Sequence, residues 1–272
     1  MRERMRTSSS AWLVSTIAAI YHFNDVNHKR RVLMITVSEP RPRVRLVTLD
    51  RPARRNALDL AGFRDLAAAW REVAASGAGA VVVTGGSDFS SGADLATFSA
   101  DVAAAIRGGE PAAAVWADVH HALLRDVVLE LPVVAAIEGI CFGAGMELAG
   151  ATDIRIAGES ALFSLPEVRH GFIASGGSVA RLPRQIGYPA AMQVMLTGER
   201  FGAERMRAWG FVGEVVPDGA ALGRALDLAE LIAGHPAAAV RGIKRAVGEG
   251  VRGTLADAYA VESRVSDEVL GA

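Results

Sequence analysis

Five short apolar runs, spaced by stretches of helical periodicity, most constrain what this chain can fold into. Val44 to Leu49, Ala80 to Thr84, Val133 to Ile137, Ile154 to Ala157 and Phe211 to Val216 are rich in β-branched residues and bounded by turn residues, as buried strands are. Between them, Leu58 to Ala75 repeats apolar residues three and four apart (Leu58, Phe63, Leu66, Ala69, Trp70, Val73), and Trp116 to Leu131 does the same with Val119, Leu123, Val127 and Leu131. Strands that alternate with helices of this length predict an α/β chain with parallel strands, because parallel neighbours need a long crossover between them. From Tyr188 onward the pattern is helical apart from the Phe211 run, with helices expected over Ala203 to Trp209, Ala220 to Ala233 and Pro236 to Val247. Trp70 and Trp116 read as core anchors.

Composition narrows the function classes. With 51% hydrophobic and 22% charged residues over 272 positions, the chain is globular rather than disordered. Twenty-nine basic and 30 acidic residues give a net charge of -1, so the broad positive field of sequence-independent nucleic-acid binding is lacking. A single cysteine, Cys141, excludes an intrachain disulfide and a cysteine zinc cage, and a reducing, cytoplasmic setting is expected. Residues 1 to 33 differ from the rest, with six basic and two acidic residues around an apolar run from Ala11 to Ile20. That run is half the roughly 20 residues a membrane span needs, and its small residues make a poor leader cleavage site. The segment is expected to be an extension, disordered or upstream of a start at Met34. What remains, 34–272, carries 23 basic and 28 acidic residues. It reads as one compact domain, a core over 34–197 followed by a helical region over 198–272.

Chemistry is concentrated in glycine-rich turns. Thr84 to Leu95, Glu138 to Leu148 and Gly171 to Ser178 each read as a glycine-rich turn following a buried strand. Glycine lets the main chain approach a ligand closely, and a helix that starts at such a turn aims unpaired NH groups at negative charge. None of the turns has the Gly-Lys-Ser/Thr ending of a nucleotide-binding loop, the spacing of a dinucleotide fingerprint or the GxSxG of a nucleophile elbow. Two glutamates stand close to such turns in apolar surroundings: Glu147 in Gly145-Met-Glu-Leu-Ala149 and Glu167 in Leu165-Pro-Glu-Val168. Helical spacing puts Glu147 three residues beyond Ala144, on the side of the free NH groups, and Pro166 is suited to open a helix. Each glutamate alone is consistent with a solvated residue or a first-turn dipole partner; the pair points to acid–base chemistry. His120, His121 and His170 show no ligand spacing, and no metal is expected.

Several ordered motifs carry a family resemblance. They are Leu49-Asp-Arg-Pro-Ala-Arg-Arg-Asn-Ala-Leu58, Val81-Val-Val-Thr-Gly85 with Phe89-Ser-Ser-Gly-Ala-Asp94, Pro132-Val-Val-Ala-Ala-Ile-Glu-Gly139, Gly143-Ala-Gly-Met-Glu-Leu-Ala149, Asp153-Ile-Arg-Ile-Ala157, Phe163-Ser-Leu-Pro-Glu167, Gly176-Gly with Arg181-Leu, and Leu196-Thr-Gly-Glu-Arg-Phe201. In these, the chain from about Arg45 to Lys244 resembles the enoyl-CoA hydratase/isomerase, or crotonase, superfamily. The resemblance implies an α/β crotonase-like (ClpP/crotonase) spiral of ββα units and a helical C-terminal trimerisation region, giving a homotrimer or a dimer of trimers. It implies acyl-CoA substrates, a role in fatty acid and lipid metabolism, and no cofactor beyond the coenzyme A the substrate brings.

Position by position, the resemblance makes the backbone NH groups of Ala93 and Ala144 an oxyanion hole, and Glu147 and Glu167 the pair that handles water. Glu147 is assigned to activating the water and Glu167 to protonating the α-carbon. Both glutamates together favour hydration of a trans-2-enoyl-CoA over the alternatives: a Δ3,Δ2-enoyl-CoA isomerase, an acyl-CoA hydrolase or a catalytically silent acyl-CoA-binding protein. For coenzyme A, the resemblance suggests Arg54 or Arg55 beside the Asn-Ala-Leu motif, Ala53, Ala57, Ala93, Asp94 and Leu95 along the tunnel, Gly143 at the oxyanion turn, and Lys244, the only lysine after Met34. Two departures stand out. Gly143-Ala-Gly145 replaces a commoner glycine triplet, and the chain stops at Val269-Leu-Gly-Ala272, without the basic stretch that reaches a neighbouring subunit's coenzyme A in many relatives. Ser99 to Ala117, rich in alanine and glycine, corresponds to the family's variable acyl-pocket loop.

Overall fold

A computed structural model describes residues 34–271; the N-terminal segment 1–33 lies outside the described residues. Among these, two sheets form the frame. The larger has six strands in the order β1 (Ile35–Arg41), β2 (Val44–Leu49), β3 (Ala80–Thr84), β4 (Val133–Ile137), β6 (Ile154–Gly158) and β9 (Glu214–Val216). The smaller joins β5 (Ile140–Phe142), β7 (Leu162–Ser164) and β8 (Phe201–Gly202). From β2 to β9 every pairing in the larger sheet is parallel, as the alternating sequence predicts; only the hairpin partner β1 is antiparallel.

Every residue of β3 and β4 is buried, because both faces of these central strands are covered. On one face Val81, Val83, Val133, Ala135 and Ile137 pack with Phe63, Leu66, Trp70 and Val73 of helix α1 (Leu60–Ala75). Asp59 caps that helix by accepting from the Gly62 amide at 2.8 Å. On the other face Ala80, Val82, Val134 and Ala136 meet Ala221, Ala225, Ala229 and Ala233, a stripe at every fourth residue of the helix Ala221–Ala233. Alanines let this helix lie close to the sheet: a methyl placed on Gly79 would come within 2.7 Å of Ala233.

Some expectations change. The Trp116 to Leu131 run is not one helix. Helix α2 (Phe98–Arg107) and helix α3 (Ala112–Ala122) occupy the alanine-rich stretch, and the chain leaves α3 through Leu124, whose φ of 49° ends helical geometry. Phe211 and Val212 are buried but not in a strand; only Glu214–Val216 pairs, because Phe211 turns its carbonyl to the Arg155 guanidinium. The turn at 171–177 follows a 3-10 helix, Pro166–His170, rather than a strand. The region after 198 contributes β8 and β9 to the two sheets before its terminal hairpin, Ala237–Gly250 and Leu255–Gly271. No helix of the described residues is long and apolar enough to cross a membrane.

Candidate active site

The turn that follows β3 is held by the Asn-Ala-Leu motif. Asn56, buried and in the left-handed region (φ 56°), donates through Nδ2 to the carbonyls of Gly85 at 2.7 Å and Asp88 at 2.6 Å, and its Oδ1 accepts from the Arg51 amide at 2.8 Å. Ser90 adds a second clasp, donating to the Asn56 carbonyl at 2.8 Å and accepting from the Gly92 amide at 3.0 Å. The loop then joins β5, with the Ser90 amide on the Ile140 carbonyl and the Phe142 amide on the Ser90 carbonyl. Two glycine turns far apart in sequence are thereby locked side by side. A Cβ on Gly92 would sit 2.8 Å from the Phe142 carbonyl and 3.1 Å from the Ala144 nitrogen, so this approach requires glycine.

The lock fixes two donors. Gly143 (φ 51°) opens the short helix α4 (Ala144–Ala149), leaving the first amides of that helix without an intrahelical acceptor. Among the described residues neither the Ala93 nor the Ala144 amide donates a hydrogen bond. Ala93, Gly143 and Ala144 line the same pocket, a cavity of about 410 Å³, and Glu147 and Glu167 line it with them.

Both carboxyl groups are almost fully buried. Burial raises Glu147 to about 7, against the opposing pull of amide donors from Ser178 (3.4 Å) and Gly176 and of the Arg181 and Arg125 charges. Burial likewise raises Glu167 to about 7, and here the Glu147 charge pushes in the same direction. The Oε2 atom of Glu167 is buried and has no hydrogen-bond partner among the described residues. Such a pair is poised near neutrality to hold one proton between two carboxyls.

Of the other residues expected at the site, Leu95 lines the pocket. Ala57 is buried beside the Asn56 clasp, and the Asp94 carboxylate turns away to Arg51 at 2.9 Å. Arg55 pairs with Asp88, which also accepts from the Ile140 amide at 3.0 Å, so this arginine braces the loop lock. Arg54 is exposed and its guanidinium has no partner among the described residues. Lys244 lies apart from the pocket, held by the Leu131 carbonyl at 2.6 Å and Asp153 at 2.7 Å. Sequence reasoning missed the aromatic wall of the pocket. Phe63, Phe98 and Trp116 follow one another, the first pair tilted and the second edge-to-face, with centroids 5.2 Å and 6.1 Å apart, and they line the cavity with Val119 and Leu123. Trp116 is therefore a wall residue at the edge of the core, and Trp70 is the buried anchor, donating to the Ala122 carbonyl at 2.9 Å.

Comparison with known proteins places these features in company. A family model described as enoyl-CoA hydratase/isomerase matches residues 40–270. The chain is 34% identical over 239 residues to the enoyl-CoA hydratase EchA19 of Mycobacterium tuberculosis, covering 85% of this chain and 86% of that protein. It is 36% identical over 208 residues to a 2,3-dehydroadipyl-CoA hydratase of Escherichia coli, covering 75% and 78%. A crystal structure of an enoyl-CoA hydratase from Bacillus anthracis matches with a TM-score of 0.79 at 31% identity, covering 88% of this chain and 92% of that one.

Proposed function

Because the chain belongs to the enoyl-CoA hydratase/isomerase, or crotonase, family, we propose that it adds water reversibly to a trans-2-enoyl-CoA, giving the 3-hydroxyacyl-CoA. One observation carries this reading: two buried carboxyls, both raised to about 7, share a pocket with two unpaired backbone amides. An isomerase or hydrolase has no need of two such carboxyls to handle one water.

In this reading the thioester oxygen accepts from the Ala93 and Ala144 amides. As water attacks the β-carbon, negative charge moves onto that oxygen, and preorganised donors stabilise it; a single donor of this kind is worth a factor of about a hundred or more in rate. Glu147 takes the proton from the water and Glu167 delivers one to the α-carbon. The pair ends with one proton as it began, now the water's proton on Glu147 while Glu167 has given its own to the α-carbon, and exchange with solvent resets it. Addition of water to a conjugated thioester changes no oxidation state overall, so no redox group is asked for; the charge on the thioester oxygen is met by the two amides, and coenzyme A enters with the substrate. Arg54, exposed and unpartnered, is the cation on the Asn-Ala-Leu side free to meet its phosphates. The apolar wall of Phe63, Phe98 and Trp116 receives the acyl chain.

Assembly as a homotrimer or dimer of trimers belongs to the same reading. Ile243 and Val247 stand 67% and 60% exposed on the helix Ala237–Gly250, and Val251 just past its end is 69% exposed, an apolar face suited to burial between subunits. A buried free thiol at Cys141 suits a cytoplasmic, reducing setting. Incubation with enoyl-CoA thioesters of increasing chain length should show loss of the enoyl thioester absorbance. Coenzyme A binding without hydration at any length would overturn the proposal.

A further inference from the structure

The two glutamates are not equally furnished. Glu147 accepts from the amides of Gly176 and Ser178 in the loop that precedes the helix Ser178–Gln185. Two arginines bracket that loop. Arg181, mostly buried, donates to the carbonyls of Leu123 and Leu124, where the pocket-wall helix ends. Arg125 donates to the Ser175 carbonyl at 2.7 Å and contacts His120 Nε2 at 2.8 Å. We propose that Arg181, seconded by Arg125, is a positioning residue that holds Glu147 in its charged, water-activating form while lashing the end of the wall helix to the loop that carries the Glu147 donors. The inference rests on the hydratase reading and adds to it what makes the pair unequal.

Adjacent glycines set the geometry. A Cβ on Gly176 would lie 2.6 Å from Glu147 Oε2, and one on Gly177 would lie 2.6 Å from Arg181 Nη1. Carboxylate and guanidinium therefore press against neighbouring residues of one backbone segment. The hydrogen-bond acceptors of Arg181 are neutral carbonyls, and among the described residues no carboxylate lies within ion-pair distance of it; Asp126, which acts on it from farther away, lies 3.8 Å from Arg125 Nε and so offsets part of that second cation. The Arg181 charge is thus not cancelled by contact, and in a part-buried setting it acts on the Glu147 carboxylate beyond contact range. Glu147 and Arg181 each favour the other's charged form.

Glu167 lacks this support. It comes from the 3-10 helix Pro166–His170, and Glu147 is the charge acting on it. The other titratable groups around the pair are His170, which lines the pocket and stacks on Phe172, and His120, whose Nδ1 lies 3.1 Å from Asp126. With Arg125 donating to Nε2, His120 turns Nδ1 toward Asp126, and burial together with the Arg125 charge disfavours its charged form. Two cations and two amide donors on one carboxyl, against only its own backbone amide and a negative neighbour on the other, place the shared proton on Glu167.

The pH dependence of kcat/KM for enoyl-CoA hydration tests this. Removing a cation raises Glu147, so the base stays protonated to higher pH and the acid limb moves up. Arg181→Met should shift that limb upward by about one pH unit, an approximately tenfold loss on the acid side, while Arg181→Lys should restore most of the wild-type position. Arg125→Gln, at an exposed position, should shift it the same way by less. A carbon-13 titration of the glutamate carboxyls should show the Glu147 midpoint moving up in the same variants. An active wild type whose Arg181→Met and Arg125→Gln variants lose rate equally at all pH values, with unmoved carboxyl midpoints, overturns the positioning role and leaves the hydratase reading standing. If Arg181→Met fails to fold, Arg125→Gln decides alone. A wild type that hydrates no enoyl-CoA overturns the hydratase reading instead, and the carboxyl titration still reports whether the arginines set the order of the pair.

Discussion

The two faces of the central sheet are built from the same strands and differ in what they ask of the chain. Toward the helix Ala221–Ala233, small apolar residues meet small apolar residues and the face does nothing but pack. Toward the pocket, the core is interrupted by two buried carboxyls, two unpaired amides and glycines that only close backbone approach explains. One face adds to stability through fit; the other forgoes stability to keep groups in states they would not choose in water.

The largest effect should come from the pocket face. Glu147→Gln or Glu167→Gln should lower kcat by about a thousandfold, measured with a saturating enoyl-CoA, while far-ultraviolet circular dichroism stays native. Gly143→Ala should follow with a loss of about a hundredfold: the residue has φ 51° and a Cβ there would lie 3.2 Å from Glu167 Oε1. On the packing face the pattern reverses. Ala229→Leu should destabilise by about 1 to 3 kcal/mol through overpacking, read by urea unfolding, with kcat per folded molecule unchanged.

Stability should also separate the faces by pH. Burial raises both glutamates from 4.5 to about 7 in the folded protein. The stability that the protonated carboxyls allow is therefore complete below about pH 4.5 and is lost as pH climbs through 7, where a buried charge must form. Glu147→Gln removes that penalty, so its stability should exceed that of the wild type increasingly from pH 5 to pH 8, by up to about 3 kcal/mol. Denaturant melts at both ends of that range check the sign; a packing-face variant should show no such trend. Smallest of all, Arg264→Ala, which cuts exposed ion pairs to Glu249 and Glu268 in the terminal hairpin, should leave the urea unfolding midpoint almost unmoved.

The packing face was also the more legible in the sequence. Ala80–Thr84 and Val133–Ile137 read to the residue, because strands covered on both sides are continuous apolar runs. Ile35–Arg41 did not, since an antiparallel edge strand that is mostly half-buried or exposed and includes Pro40 carries no such run. Phe211 and Val212 looked like strand because burial, not pairing, selects their type. At the site, Glu147 and Glu167 stand out as charges set in apolar surroundings near glycine-rich turns. The wall of Phe63, Phe98 and Trp116 does not, because an aromatic facing a cavity and one facing a core carry the same signal. Arg181 is visible as a motif residue beside Gly176-Gly, but its role is not, and Arg125 carries no signal at all, because both make hydrogen bonds to backbone carbonyls, which no residue type announces.

The most direct test is hydration of crotonyl-CoA in oxygen-18 water, with the products resolved by mass spectrometry for the wild type and for Glu147→Gln. The account predicts a 3-hydroxyacyl-CoA carrying one heavy oxygen from the wild type and almost none from the variant. Free coenzyme A with a labelled acid, or a wild-type and variant pair that label the product equally, would contradict it.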